Sequence, residues 1–210
     1  MRKQKYLLYS ILLIFCLLVS LYPVGIVAAQ QEYVDPNDKA IAEWTQTIAD
    51  NSNDAVAYYK RAKAYLHKVQ YDKALSDFDK AIEINPTYAV AYLDRGFLYS
   101  KKGQDDKALD NYSHAIKSDP NYVLAYTNRA YMYNKKGQYD LAINDCNKAL
   151  EINPKATKAY LNKGTAYEKK HLYQEAVNTY RLLLVNVSPQ DLQAIENAKN
   201  RIRALGETVY

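Results

Sequence analysis

Between Ala55 and Ser188 the chain repeats itself every 34 residues, and no other feature of the sequence restricts its fold as tightly. In rows of that length, Tyr58, Tyr92, Tyr126 and Tyr160 form one column, and Arg61, Arg95, Arg129 and Lys163 form another. Small residues share the next, Ala62, Gly96, Ala130 and Gly164, followed by Tyr65, Tyr99, Tyr133 and Tyr167. Ala74, Ala108, Ala142 and Ala176 align further on, then Phe78, Tyr112, Cys146 and Tyr180, then Ala81, Ala115, Ala149 and Leu183. Pro86, Pro120 and Pro154 close three rows, and Ser188 breaks that column. A fixed period of this length marks an architecture in which one supersecondary unit is stacked on the next.

The spacing inside a row identifies the unit. Tyr92, Gly96 and Tyr99 lie four and three residues apart, on one face of a helix, and Ala108, Tyr112 and Ala115 do the same on a second. Between them Lys102-Gly103-Gln104-Asp105 reads as a helix stop followed by a new start. The pattern predicts helix pairs at about 55–68 with 71–84, 89–102 with 105–118, 123–136 with 139–152 and 157–170 with 173–186. Gly103 and Gly137 suit a left-handed residue past a helix end. Val69 and His171 hold the same place in the outer pairs, which predicts strained or differently built turns there. Small residues let the two helices of a pair approach closely, and rings fill the gaps between pairs. A single pair cannot bury its apolar face, so the expected fold is all-α, a solenoid with one continuous core.

These columns resemble the tetratricopeptide repeat, with its aromatics, small residues and closing proline at fixed positions. The resemblance covers Ala55 to Gln190, and the fourth repeat departs from it at Leu183 and Ser188. It implies a right-handed α-solenoid of four helix-turn-helix repeats, 55–88, 89–122, 123–156 and 157–190, with a concave groove and a non-enzymatic, protein-binding role. Within that family the concave side is lined by first-helix positions that here include Tyr59, Lys63, Leu93, Phe97, Lys101, Tyr131, Lys135, Lys158 and Thr165. Tyr59, Phe97 and Tyr131 would form an aromatic patch, and Lys101, Lys135 and Lys169 a basic rim. Such a surface suits an extended peptide with apolar anchors and acidic groups. The competing account of these lysines is helix capping, since cations are favoured at helix C-termini. Some family members clamp a C-terminal carboxylate between Lys, Asn and Arg of successive first helices. Here Asn128 and Lys158 match, Asn162 stands where Arg is expected, and Leu93 and Phe97 replace the first pair, so the clamp is incomplete. Asn128 and Asn162 remain candidates to hydrogen-bond a ligand backbone.

The flanks carry their own signals. Arg2, Lys3 and Lys5 precede an apolar run from Tyr6 to Tyr22, Pro23 and Gly25 break it, and Val27-Ala28-Ala29 offers a cleavage site before Gln30. Residues 1–29 therefore read as a signal peptide, or, uncleaved, as a membrane anchor; either places the solenoid on the extracytoplasmic side. Asp35-Pro36-Asn37-Asp38 begins a helix that carries Ala40, Ile41, Trp44, Thr47 and Ile48 on one face. Ala40 and Trp44 share the register of Ala74 and Phe78, so Pro36 to Asp50 is expected to be a half-repeat that caps repeat one, with Trp44 as packing. A C-terminal capping helix from Pro189 to about Leu205 should turn Leu192, Ile195, Ala198, Ile202 and Leu205 inward.

Charge and composition narrow the function. The net charge is +5, of which Arg2, Lys3 and Lys5 supply three, and the remaining +2 is too weak for a nucleic-acid footprint. His67, His114 and His171 have no metal-ligand spacing, and no phosphate loop or nucleophile elbow occurs. No cofactor, metal or small-molecule substrate is expected. Cys146 reads as a buried inert thiol, and the sequons at Asn111 and Asn186 fall in helical contexts.

Overall fold

In a computed structural model, residues 34–208 of the chain are described. The expected leader, residues 1–29, lies outside the described residues. The described residues form ten helices and no strand: α1 (Pro36–Asp50), α2 (Ala55–His67), α3 (Tyr71–Ile84), α4 (Ala89–Lys101), α5 (Asp105–Ser118), α6 (Val123–Lys135), α7 (Tyr139–Ile152), α8 (Thr157–Lys169), α9 (Tyr173–Asn186) and α10 (Leu192–Ala204). From α2 to α9 every helix starts where the repeat places it, and each first helix ends one residue early, on the first of two lysines or on His67.

The chain divides into a unit ending at Lys39 and a unit Ala40–Tyr210. In the first, Asp35 begins α1: its carboxylate accepts from the Asn37 amide at 2.8 Å and its carbonyl from the Asp38 amide at 2.9 Å. The rest of α1 belongs to the second unit, an α-solenoid of four hairpins.

Each hairpin closes in the same way. Gln70, Gln104, Gln138 and Leu172 donate their amides to the carbonyls of Tyr65, Tyr99, Tyr133 and Tyr167 at 2.8–2.9 Å, around one residue with positive φ. Gly103 and Gly137 take φ of 72° and 74°, but Val69 and His171 are driven to 59° and 60° as well. The turns are therefore not differently built. They are strained, because a left-handed residue with a side chain costs about 1–2 kcal/mol, and β-branched Val69 is the less tolerant of the two. Between hairpins, Asn85, Asp119 and Asn153 precede the prolines in extended conformation, as a residue before proline must. Their side-chain oxygens accept from the amides of Thr87, Asn121 and Lys155 at 2.9–3.1 Å.

The core follows the columns. Ala74, Ala108, Ala142 and Ala176 are fully buried, as are Phe78, Cys146 and Tyr180, with Tyr112 nearly so. The two columns compensate in size. Glycine occurs where the facing residue is tyrosine: a Cβ on Gly96 would sit 2.8 Å from the Tyr112 ring, and one on Gly164 would sit 2.4 Å from the Tyr180 ring. Alanine occurs where it is Phe78 or Cys146.

The arginine column joins repeats. Arg129 Nε and Nη2 donate to the two oxygens of Asp145 at 2.8 Å in its own repeat, while Nη1 reaches Ser113 of the preceding one at 3.0 Å. Arg61 does the same with Asp77 (2.7 and 2.8 Å) and with Thr45 of α1 (3.2 Å). Arg95 does so with Asn111 (2.7 Å) and Asp79 (2.6 Å). Thr45, Asp79 and Ser113 are one repeat apart, so α1 occupies the place of a second helix. Ala40, Ile41, Trp44, Thr47 and Ile48 are its half-buried face within this unit, and no α1 residue is fully buried.

At the other end α10 starts three residues later than expected, with Asp191 accepting from the Ala194 amide at 3.3 Å. Ala194, Ala198 and Ile202 are buried and Ile195 and Leu205 half-buried, but Leu192 is 71% exposed, against expectation. As the first helical residue its side chain tilts back toward the N-terminus, off the packed face.

The Arg129–Asp145 pair predicts a graded response. Asp145→Ala leaves the largely buried Arg129 guanidinium with only the Ser113 hydroxyl and should cost about 3 kcal/mol of unfolding free energy in chemical denaturation. Asp145→Asn, which copies the Arg95–Asn111 pair already present in repeat two, should cost about 1 kcal/mol. Equal losses would show that the charge contributes nothing.

Candidate functional site

The first helices α2, α4 and α6 present a trough with two adjoining cavities. One, about 460 Å³, is lined by Lys63, Leu66, His67, Tyr71, Leu93, Asp94, Phe97, Lys101 and Asn128. The other, about 390 Å³, is lined by Phe97, Ser100, Lys101, Tyr112, Asn128, Tyr131 and Lys135. Phe97, Lys101 and Asn128 line both and make the trough continuous.

Helical periodicity places these groups. Phe97 and Lys101, and likewise Tyr131 and Lys135, are four residues apart and so share a helix face one turn from each other. Phe97 and Tyr131 are 41% and 57% exposed although both are large and apolar. Each follows a core-column residue, Gly96 or Ala130, by one position, about 100° around the helix, and so leaves it on the open face. Lys101 Nζ lies 5.3 Å from the centre of the Phe97 ring, a cation–π contact at the rim.

Several expected residues stand elsewhere. Tyr59 is not part of an open aromatic patch. It is half-buried, its hydroxyl donates to Asp94 Oδ2 at 2.9 Å, and its ring packs 5.3 Å from Tyr88 and 6.0 Å from Phe78. Burial and the Asp94 carboxylate push its phenol well above the ordinary tyrosine range. Leu93 is only 7% exposed and belongs to the core, touching the trough at its floor. Asn162 is spent inside the protein: its amide donates to the Thr127 carbonyl at 2.9 Å, and its own carbonyl accepts from Asn134 at 2.8 Å. Lys158 is exposed and Thr165 half-buried, and neither lines the two cavities. Of the remaining candidates, Lys63, Phe97, Lys101 and Asn128 line the first cavity, and Phe97, Lys101, Asn128, Tyr131 and Lys135 the second.

Asp94 is the residue that sequence reasoning passed over. It stands in the column of Asn128 and Asn162, which was the available signal. Its Oδ2 takes both the Tyr59 hydroxyl and Lys63 Nζ, the latter at 3.1 Å, so the one carboxylate on the trough floor is offset by a lysine. Lys135 is held by Asp105 at 2.8 Å.

The remaining candidate chemistry is inert. Cys146 is fully buried, and burial pushes its thiol from 9.0 up to about 12. Lys163 replaces arginine beside it, and burial lowers its pKa. Asn111 is 3% exposed with its amide on the Lys107 carbonyl, so its sequon is closed to modification in the folded chain. Among the described residues no three His, Cys, Asp or Glu side chains gather as a metal site.

Fold and trough together define a tetratricopeptide-type solenoid. Tetratricopeptide repeat family models match residues 55–88, 78–110, 123–156 and 157–184, and the chain belongs to that family. No curated protein matches it in sequence. Among solved structures, MamA is 24% identical over 83% of this chain and 88% of its own, with a TM-score of 0.65. YrrB, described as a TPR protein with an unusual peptide-binding site, is 24% identical over 77% of this chain and 82% of its own, with a TM-score of 0.63. The first TPR of Spaghetti, bound to the HSP90 peptide SRMEEVD, is 30% identical over 57% of this chain and 96% of its own, with a TM-score of 0.51. The architecture is thus the right-handed α-solenoid of this family.

Proposed function

We propose that the protein is a non-enzymatic scaffold that holds an extended peptide, or an extended segment of a partner protein, in the concave trough of α2, α4 and α6. One observation carries this reading: Phe97 and Tyr131 stand exposed around a cavity of about 390 Å³ that also holds Lys101, Lys135 and Asn128. Exposed aromatics grouped with a few polar groups are the usual anatomy of a recognition hot spot. Family membership supports a protein-interaction role, and similar solenoids include one with a peptide-binding site and one with a bound peptide.

Residues 1–29 support an extracytoplasmic location, either as a cleaved signal or as a retained anchor that would tie the solenoid to a membrane. Among the described residues no helix is long and apolar enough to cross a bilayer. A second reading, a structural subunit of an envelope or membrane assembly that associates through its ends or convex face, draws on Leu182 and Val185. They are 52% and 80% exposed, where earlier repeats carry the pairs Lys80–Glu83 and Lys148–Glu151.

Two measurements test these assignments. Asn128→Ala combined with Tyr131→Ala should weaken a partner recovered by cross-linking from the native membrane fraction by about 2 kcal/mol or more, and unchanged affinity would move the site to the convex face. N-terminal sequencing of the protein isolated from its cells should read from Gln30 if the leader is removed and from residue 1 if it is an anchor.

A further inference from the structure

Every second helix turns an outer stripe to solvent, on positions spaced three, four and three residues apart. The last two positions of that stripe are polar in the first three repeats. They are Lys80 and Glu83 in α3, paired at 2.7 Å, His114 and Lys117 in α5, and Lys148 and Glu151 in α7, paired at 3.0 Å. In α9 the same two positions hold Leu182 and Val185, and Val185 is the most exposed large apolar side chain among the described residues. The opposite side of α9, Ala176, Val177, Tyr180 and Leu183, is already buried in the core. The helix is thus apolar on two sides while its own chain covers one. Before Leu182 the outer stripe continues with exposed Asn178 and Glu175, so beyond Glu175 it carries no charge. A helix apolar on both sides is packed on both sides.

We infer that this outer face of α9 is the contact between two copies of the protein, whose α9 helices cross antiparallel about a two-fold axis lying between Leu182 and Val185. The inference rests on the second reading above and names the partner in it. Residues three apart are separated by about 4.5 Å along a helix. An antiparallel crossing centred between them sets Leu182 of one copy against Val185 of the other, and the reverse. A patch only one turn long is thereby used twice, each copy supplying both halves of the contact, which is the property of a two-fold interface. The charge pattern agrees. Beyond Glu175 the stripe is neutral, so two copies bring no like charges face to face. A lipid surface is a poorer fit, since the stripe carries no cation and Arg181 at its flank is paired with Glu207 at 3.1 Å. An extended peptide is a poorer fit too, because one outward helix face has no groove to hold it, whereas two helices pack ridge into groove. The trough lies on first helices, so the contact leaves both troughs open, and a partner with two segments would gain from binding both.

Contacts below roughly 1,200 Å² are weak and reversible, so sedimentation equilibrium of the full chain at about 100 µM tests the assignment. The expected mass is that of two chains. Leu182→Glu with Val185→Glu should weaken the dimer at least tenfold, and so should Leu182→Lys with Val185→Lys, because each sets like charges face to face. Mixing the acidic and the basic variant should restore a dimer holding one copy of each, a rescue that neither misfolding nor a contact elsewhere could produce. Val185→Cys should cross-link to its own counterpart through a short bismaleimide, while Glu151→Cys, at the same place on α7, should not; Cys146 is buried and stays silent. A monomeric mass at this concentration overturns the assignment, and so does a dimer indifferent to the acidic variant. Recovery from the native membrane fraction of a different chain, lost with Leu182→Glu and Val185→Glu, also overturns it and gives the face to that partner, with the second reading intact. The trough reading stands or falls apart from this one, since Asn128→Ala with Tyr131→Ala should leave the dimer unchanged.

Discussion

The structure depends on how closely two helices of a hairpin can approach, and that distance is set where Ala62, Gly96, Ala130 and Gly164 face Phe78, Tyr112, Cys146 and Tyr180. A ring occupies nearly all the space between the helices, so the opposite residue must give up its own. Where the ring is tyrosine even a methyl group is too much, and the chain accepts glycine in mid-helix, about 1 kcal/mol worse than alanine in propensity. Phe97 and Tyr131 follow Gly96 and Ala130 by one residue, about 100° around the helix, and stand exposed on the open side.

Cohesion between repeats comes from two polar devices layered on that core. The arginines bridge neighbouring second helices from partly buried positions, with side chains 16–19% exposed in Arg61, Arg95 and Arg129. Lys102, Lys136 and Lys170 bridge the solvent-exposed turns to Asp72, Asp106 and Asp140 of the preceding repeat. In repeats one and three the arginine bridge is the stronger, because Asp77 and Asp145 are shielded from water and bound bidentately, while the lysine pairs are screened. Repeat four lacks the arginine device, since Lys163 faces Thr179 rather than a carboxylate, and Thr179 satisfies itself on the Glu175 carbonyl at 2.7 Å. There the joint to repeat three uses two side-chain amides, Asn134 donating to the Asn162 backbone carbonyl and Asn162 to that of Thr127.

The fold was legible because each structural demand repeats four times and falls on the same column. The helix spans, the hairpin turns and the half-repeat of α1 all follow from period and residue size. The trough was less legible. Position within the repeat says which side a residue leaves the helix, but not whether a neighbour claims it. Tyr59 is drawn in by Asp94, and Asn162 is consumed by the adjacent backbone. Both partners lie 35 positions away, the side chain of Asp94 in one case and the backbone carbonyl of Thr127 in the other. Leu192 misled for a different reason: its apolar character fits the stripe of α10, but it sits at the helix end with nothing to pack on.

The lysine ladder reaches back by one repeat only, and so do the arginines. Every row is therefore fastened to its immediate neighbour by parts it carries itself, and nothing in the joinery records how many rows there are. Such a molecule behaves as a ruler. Duplicating or deleting an internal row would lengthen or shorten the solenoid by one fixed step, without redesigning any joint.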